Sequence, residues 1–184
     1  MKKTIVVALG ICALASCKKI IDLANIDFTV PVSKTIAVDG LEGNPVIPGG
    51  TGIRASMPTV AVETKSEEYI RNYNTSSELI TSVVFSKLKI DVNEPSSQNL
   101  DMADSIWLYV SASGLPEVLA SHYYGIPKGI RTLELSTSEQ NIKDYFLQDS
   151  MYFRVEGRFY KAPDSASVFT FTSQFDVTAN PLKQ

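Results

Sequence analysis

Beyond residue 80 one pattern dominates the chain: apolar and polar side chains alternate one for one, in run after run. Val84, Leu88, Ile90 and Val92 share a parity, with Phe85, Lys87, Lys89 and Asp91 on the other. Ile106, Leu108 and Val110 alternate with Trp107 and Tyr109. Phe153, Val155, Gly157 and Phe159 alternate with Tyr152, Arg154, Glu156, Arg158 and Tyr160, and Phe169, Phe171, Phe175 and Val177 with Thr170, Thr172, Gln174 and Asp176. A period of two puts successive side chains on opposite faces of a β-strand, one face dry and one wet. Turn residues separate the runs, as at Gly114-Leu115-Pro116 and Ala162-Pro163-Asp164-Ser165. No helix–strand rhythm and no internal repeat is present. The chain is therefore expected to be all-β, an antiparallel immunoglobulin-like β-sandwich of roughly seven to nine strands with one or two short helices in its loops, forming a single domain over residues 26–184.

The earlier half is less regular. Ile26, Phe28, Val30 and Val32 mark a half-buried strand, and Pro31, which lacks an N–H, puts that strand at a sheet edge. Residues 39–58 are crowded with glycine and proline and read as a long loop or a loosely paired excursion. A brief strand is expected over 59–63 and a short or frayed helix within 66–80, with acidic residues in its first turn. Further strands are expected over 117–124 and 132–135. Ser136-Thr137-Ser138-Glu139 has the spacing of a capping box, so a helix is expected from there through Leu147.

The N-terminus carries a different message. Lys2 and Lys3 precede the apolar run Ile5–Leu14, followed by Leu14-Ala15-Ser16-Cys17. This is the layout of a secretory signal peptide, and the run is too short to span a bilayer, which takes about 20 residues. Leu14-Ala15-Ser16-Cys17 resembles the lipobox of bacterial lipoproteins. The resemblance implies cleavage of residues 1–16, acylation of Cys17 as the new N-terminus, and a tether over 17–25. The chain as a whole resembles the small single-domain lipoproteins of Bacteroidetes. That likeness implies an outer-membrane anchor; Lys18 is not the aspartate linked to inner-membrane retention, and no acidic run of the kind linked to surface export follows Cys17. The periplasmic side is thus expected over the cell surface. Asp104-Ser105-Ile106, Asp149-Ser150-Met151 and Asp164-Ser165-Ala166 resemble the O-glycosylation sites of that phylum, and equally fit ordinary turn chemistry.

Without Lys2 and Lys3, 15 basic side chains face 20 acidic ones, a poor match to nucleic acid, which wants a basic footprint. Cys12 leaves with the signal peptide and Cys17 is acylated, so no thiol remains for catalysis, metal or disulfide. His122 is the only histidine and reads as an ordinary strand residue; zinc sites usually draw on several His and Cys ligands. Gly49-Gly50-Thr51-Gly52 lacks the ending of a P-loop, and the Asn and Asp residues of 99–104 lack EF-hand spacing. No cofactor is implied. Carboxylates are plentiful, but nothing selects a glycosidase pair.

The outward-parity aromatics are the remaining candidates. Trp107 and Tyr109 share one strand face, and Tyr152 and Tyr160 another, with Arg154 and Arg158 between them. Flat amphipathic rings suit sugars and peptides. The alternative is that these rings form a second core face, or pack against arginines across strands. The sequence thus points to a non-enzymatic, lipid-anchored envelope domain that binds or scaffolds a protein or glycan partner. Its rivals are a glycan-binding module using these four rings and, behind it, a carboxylate-based hydrolase.

Overall fold

A computed structural model describes residues 25–182. Cys17, with the predicted signal peptide and lipid anchor, lies outside them. The described chain is an all-β antiparallel sandwich with short helices, as the alternation predicts. One sheet has the order β1(Ile26–Val38)–β9(Ser167–Ala179)–β4(Ile80–Glu94)–β7(Thr132–Leu135). The other runs from β2(Ile53–Ser56) through β8(Ser150–Phe159) and β5(Ala103–Ala112) to β6(Leu115–Tyr124), with β3(Val60–Glu63) also pairing β8. We call these the first and second sheets.

β2 and β3 lie along the same strand, opposite Phe159 to Glu156 and Phe153 to Ser150 respectively. Between them Met57 N still donates to Val155 O at 2.8 Å. They are one edge strand interrupted at Pro58, which has no N–H to continue the ladder. Counted so, the described residues form eight strands, and only the β5–β6 hairpin joins neighbours in one sheet; every other connection crosses the sandwich. That wiring is the jelly-roll form of an antiparallel β-sandwich.

The inner faces close over a single apolar core in which Val30, Val83, Val110, Phe146, Phe159 and Phe175 are fully buried. Phe85 of the first sheet meets Phe153 of the second edge to face, ring centres 6.2 Å apart. Helix α1(Ser66–Asn72) and the following turn seal one end, where Tyr73 stacks on Phe28 at 4.2 Å. Gly157 faces inward because Phe159 needs its space: a Cβ there would stand 2.7 Å from the ring.

Two expectations are corrected. In β4 a register shift between Phe85 and Lys87 reverses the parity, so Val83 and Phe85 point inward with Leu88, Ile90 and Val92, while Val84 turns outward. A bulge adds one residue to a strand and breaks any parity drawn through it. Ser136–Glu139 caps no helix. The helix here is the single turn α2(Lys143–Phe146), and Asn141 does the work at its start: its Oδ1 accepts from Lys143 N and Val83 N at 3.0 Å each, and its Nδ2 donates to Thr81 O at 3.1 Å. The helix expected within 66–80 is short, ending at Asn72 with a 3-10 turn at Ser77–Leu79 after it, and the glycine-rich stretch is a paired excursion, since it contains β2.

The β1 edge is blunted against further strand pairing. Pro31 lacks a donor, and Lys34 occupies an inward parity between Val30 and Val38 yet stays exposed. Prolines and inward-pointing charges are devices that deter edge-to-edge association.

Candidate binding face

The outer face of the second sheet collects long side chains from four strands. The registers align them in rows: Ser56, Glu156, Trp107 and His122; then Arg154, Tyr109 and Leu119; then Tyr152 between Ala61 and Ser111. At the other end Arg54 lies opposite Arg158, and Tyr124 opposite Ser105. All four predicted aromatics therefore share one face, which strand-by-strand parity alone could not establish.

The rings and guanidiniums interleave. The Arg54 guanidinium lies 4.6 Å from the Trp107 ring centre, that of Arg154 4.3 Å from Tyr109, and that of Arg158 5.7 Å from Tyr160. Trp107 and Tyr109 are half-buried, each with one face covered, so the predicted cross-strand arginine packing is present. Trp107 Nε1 donates to Tyr124 OH at 3.3 Å, and the His122 and Tyr124 rings are 5.0 Å apart. Tyr152 and Tyr160 are exposed and Tyr124 more so, at 62%.

Arg154 is the hub. Its Nε and Nη2 donate to the two oxygens of Glu117 at 2.9 and 2.6 Å, and its Nη1 to Ser56 Oγ at 3.0 Å and Glu156 Oε2 at 2.9 Å. Arg54 pairs with Glu156 from the other side and donates to Tyr109 OH at 3.1 Å. The paired guanidinium bonds from Arg154 hold Glu117 below the usual carboxylate range, against a smaller upward push from burial. At Glu156 burial is the larger single influence and would raise the group, but the bonds from Arg154 and Arg54 together outweigh it. Asp104 follows the same pattern: burial is overcome by the hydroxyls of Ser105 and Tyr160 and by Arg158. Bonding to Asp104 in turn raises the Tyr160 phenol.

Sequence reasoning missed Arg54 and Ser56, because β2 was hidden in a glycine-rich stretch, and it missed Glu117, Glu156, Leu119 and Tyr124 as members of this face. Their signal was outward parity; what was lacking was the pairing order of the strands. Among the described residues no group of three His, Cys, Asp or Glu side chains is placed to hold a metal ion, and no helix is long and apolar enough to cross a membrane.

No protein-family model matches the chain, and neither does any curated protein. Among solved structures it is similar to one of Desmodium yellow mottle tymovirus, with 9% identity and a TM-score of 0.23 over 86% of this chain and 91% of that one. It is also similar to one of turnip yellow mosaic virus, with 10% identity and a TM-score of 0.26 over 86% of this chain and 98% of that one. Likenesses this distant assign neither fold nor function.

Proposed function

We propose that this chain is a lipid-anchored, non-enzymatic domain of the cell envelope that binds a partner through the outer face of its second sheet. The observation that carries the reading is the concentration of Leu119, Tyr124, Tyr152 and Tyr160, all exposed, on one face braced by cross-strand guanidinium–carboxylate bonds. Exposed aromatics on a rigid frame bind at low entropic cost, because little has to be ordered on association. The opposite outer face carries hydroxyls, carboxylates and lysines, and none of the exposed large hydrophobic side chains among the described residues. The anchor rests on the lipobox resemblance at Cys17, and the outer-membrane, periplasm-facing position on the residues that follow it. On this face Glu117, Glu156 and Asp104 are all held toward the ionised form, so none of the three matches a glycosidase acid, whose pKa is raised.

Hydroxyl-radical footprinting of the full chain, in native membranes and after extraction into detergent, tests this. Tyr124, Tyr152 and Tyr160 are expected to be protected in the membrane state relative to Tyr73, an exposed tyrosine away from the face. The Cys17→Ser variant should lose its acyl mass, its membrane retention and that protection. Equal reactivity in both states would sink the binding role, and an unacylated, released wild-type chain would sink the anchor.

Glycan binding is a second reading, favoured by Tyr124 and Tyr160. Trp107 and Tyr109 are half-buried under guanidiniums at 4.6 and 4.3 Å, whereas Tyr124 and Tyr160, the latter with Arg158 farther off at 5.7 Å, are exposed. On this reading Trp107 and Tyr109 are supports, and Tyr152 is a separate contact in the most distant row.

A further inference from the structure

One guanidinium on this face has no hydrogen-bond partner. Arg158 is the last outward residue of β8, opposite Arg54 on β2 and Ser105 on β5. Its nearest carboxylate oxygen, Asp104 Oδ2, is 3.7 Å away, beyond hydrogen-bond distance. Asp104 is already engaged, with Ser105 Oγ donating at 2.7 Å and Tyr160 OH at 2.8 Å. Among the described residues the Arg158 side chain makes no hydrogen bond, only the ion pair to Asp104, and it is 52% exposed. Its guanidinium therefore keeps N–H donors for a ligand. Arg154, four residues earlier, has its acceptors in place and is only 24% exposed.

The ion pairs single out the same residue. Glu117 and Glu156 are held by Arg154 and Arg54 at hydrogen-bond distance, whereas Arg158 has only the looser ion pair to Asp104 and faces Arg54 directly across the strand pair. Like charges directly opposite on a sheet are destabilising, and one anion between them relieves that cost. The site is also shaped. A Cβ on Gly52 would stand 3.0 Å from Arg158 Cγ and Nε and from Tyr160 Cζ, so the backbone at 52 rests against both side chains. It is brought there by the turn at Pro48–Thr51, closed by Thr51 N on Pro48 O at 3.2 Å, with Gly50 at φ +76°. Tyr160 and Tyr124 flank the Asp104–Ser105 position from either side, one through its bond to Asp104 and the other through strand pairing.

We propose that this end of the face is a binding site for acidic sugars: Arg158 takes the carboxylate of a uronic-acid-type pyranose in a bidentate fork, and Tyr160 and Tyr124 take the flat face of its ring. The planar guanidinium fork matches carboxylate geometry, and the rings match an amphipathic sugar face. This deepens the glycan reading and rests on it.

Trp107 is the only tryptophan in the chain and touches Tyr124, so its fluorescence reports on the site. The full lipidated chain in detergent is titrated with an oligogalacturonide, with the same oligomer methyl-esterified, and with acetate, and calorimetry is run in parallel. The acid form is expected to bind at least roughly tenfold more tightly than the ester, the scale of a charge-assisted bond. Arg158→Gln should lose that factor, Arg158→Lys should keep part of it, and Gly52→Ala should lose it by displacing Arg158 and Tyr160. Acid and ester binding equally would overturn the acidic-sugar site while leaving the glycan reading intact. Acetate competing as well as the oligomer would overturn it in favour of a bare anion contact. Binding of neither oligomer by a folded chain would overturn both, and the footprint in native membranes would then decide the broader binding role independently.

Discussion

The two outer faces of the sandwich sit on sheets of the same antiparallel kind and solve the problem of a wet surface differently. On the first sheet, short side chains bond to their immediate neighbours. Thr35 and Thr170 share a bond of 2.8 Å, Thr29 donates to Asp176 at 3.1 Å, and Thr178 to Asp27 at 2.7 Å. Most contacts connect only two strands; the widest set joins Thr29, Asp176, Ser86 and Gln174 across β1, β9 and β4, and the ion pairs Lys87–Glu134 and Lys89–Asp91 lie beside it. On the second sheet the side chains are long and reach across rows, so that Arg54, Glu156, Arg154, Glu117 and Ser56 form one connected set. The first sheet's face presents small hydroxyls, carboxylates and lysines, with no ring or guanidinium held in place among the described residues. A network that fixes rings and guanidiniums in place holds a shape, and a shape is what a ligand needs.

The largest effect should come from the strand under that network. Gly157→Val places two methyls where the Phe159 ring already sits, and the Ser105 carbonyl lies 3.2 Å from the added Cβ. Overpacking of this kind costs about 2–3 kcal/mol. Denaturant unfolding should show a clearly lower midpoint, and Trp107 fluorescence should change in the folded state. A wild-type midpoint would mean that β8 and Phe159 shift freely, and that the face is not held rigidly from below.

Removing the hub comes next. Arg154→Met keeps the apolar stem but strands Glu117 and leaves Glu156 with Arg54 alone. Charge-assisted bonds contribute about 1.5–3 kcal/mol when buried; with Glu117 partly in solvent the expected loss is nearer about 1–2 kcal/mol. Acid should act on the same bonds. Glu117 and Glu156 have folded-state pKa values below their unfolded ones, so their contribution is complete above the unfolded value of about 4.3 and disappears as pH falls through the folded values. Stability should drop steeply below about pH 4.5. A Glu117→Gln, Glu156→Gln variant, weaker at neutral pH, should show a shallower fall. Parallel profiles would place the acid sensitivity elsewhere.

How much of this was legible beforehand depended on distance along the chain. The parity of β5, β8 and β9 is local, and it correctly assigned Trp107, Tyr109, Tyr152 and Tyr160 to wet faces. That the four meet on one face depends on β8 pairing β5, a matter of strand order that no short window contains. The bulge between Phe85 and Lys87 is likewise fixed by the partner strand β9, so the parity assigned to Val84 and Phe85 came out reversed. Arg54 was overlooked because Ile53–Ser56 is too short to show a period and is embedded in glycines. Arg131 left no signal at all, yet its guanidinium ties down the carbonyls of Val92 and Asn93, at 2.9 and 2.6 Å, and of Ser96. Side chains that serve distant backbone look like surface residues in sequence.

The smallest effects give the sharpest version of the contrast, because they test coupling rather than strength. Thr170 and Thr178 lie eight residues apart on β9, about 26 Å along the strand, and serve different partners. Thr170→Ala and Thr178→Ala should each cost no more than about 0.5 kcal/mol, and together the sum of the two to within about 0.3–0.5 kcal/mol. Arg54→Met and Arg154→Met also remove residues from separate strands, but both bond to Glu156. The first loss leaves Glu156 one partner and the second leaves it none, so the double variant should depart from the sum by at least about 0.5 kcal/mol. Additivity on both faces would mean that the guanidinium–carboxylate contacts are as independent as the hydroxyl pairs. The second sheet would then have no more claim to a preformed binding surface than the first.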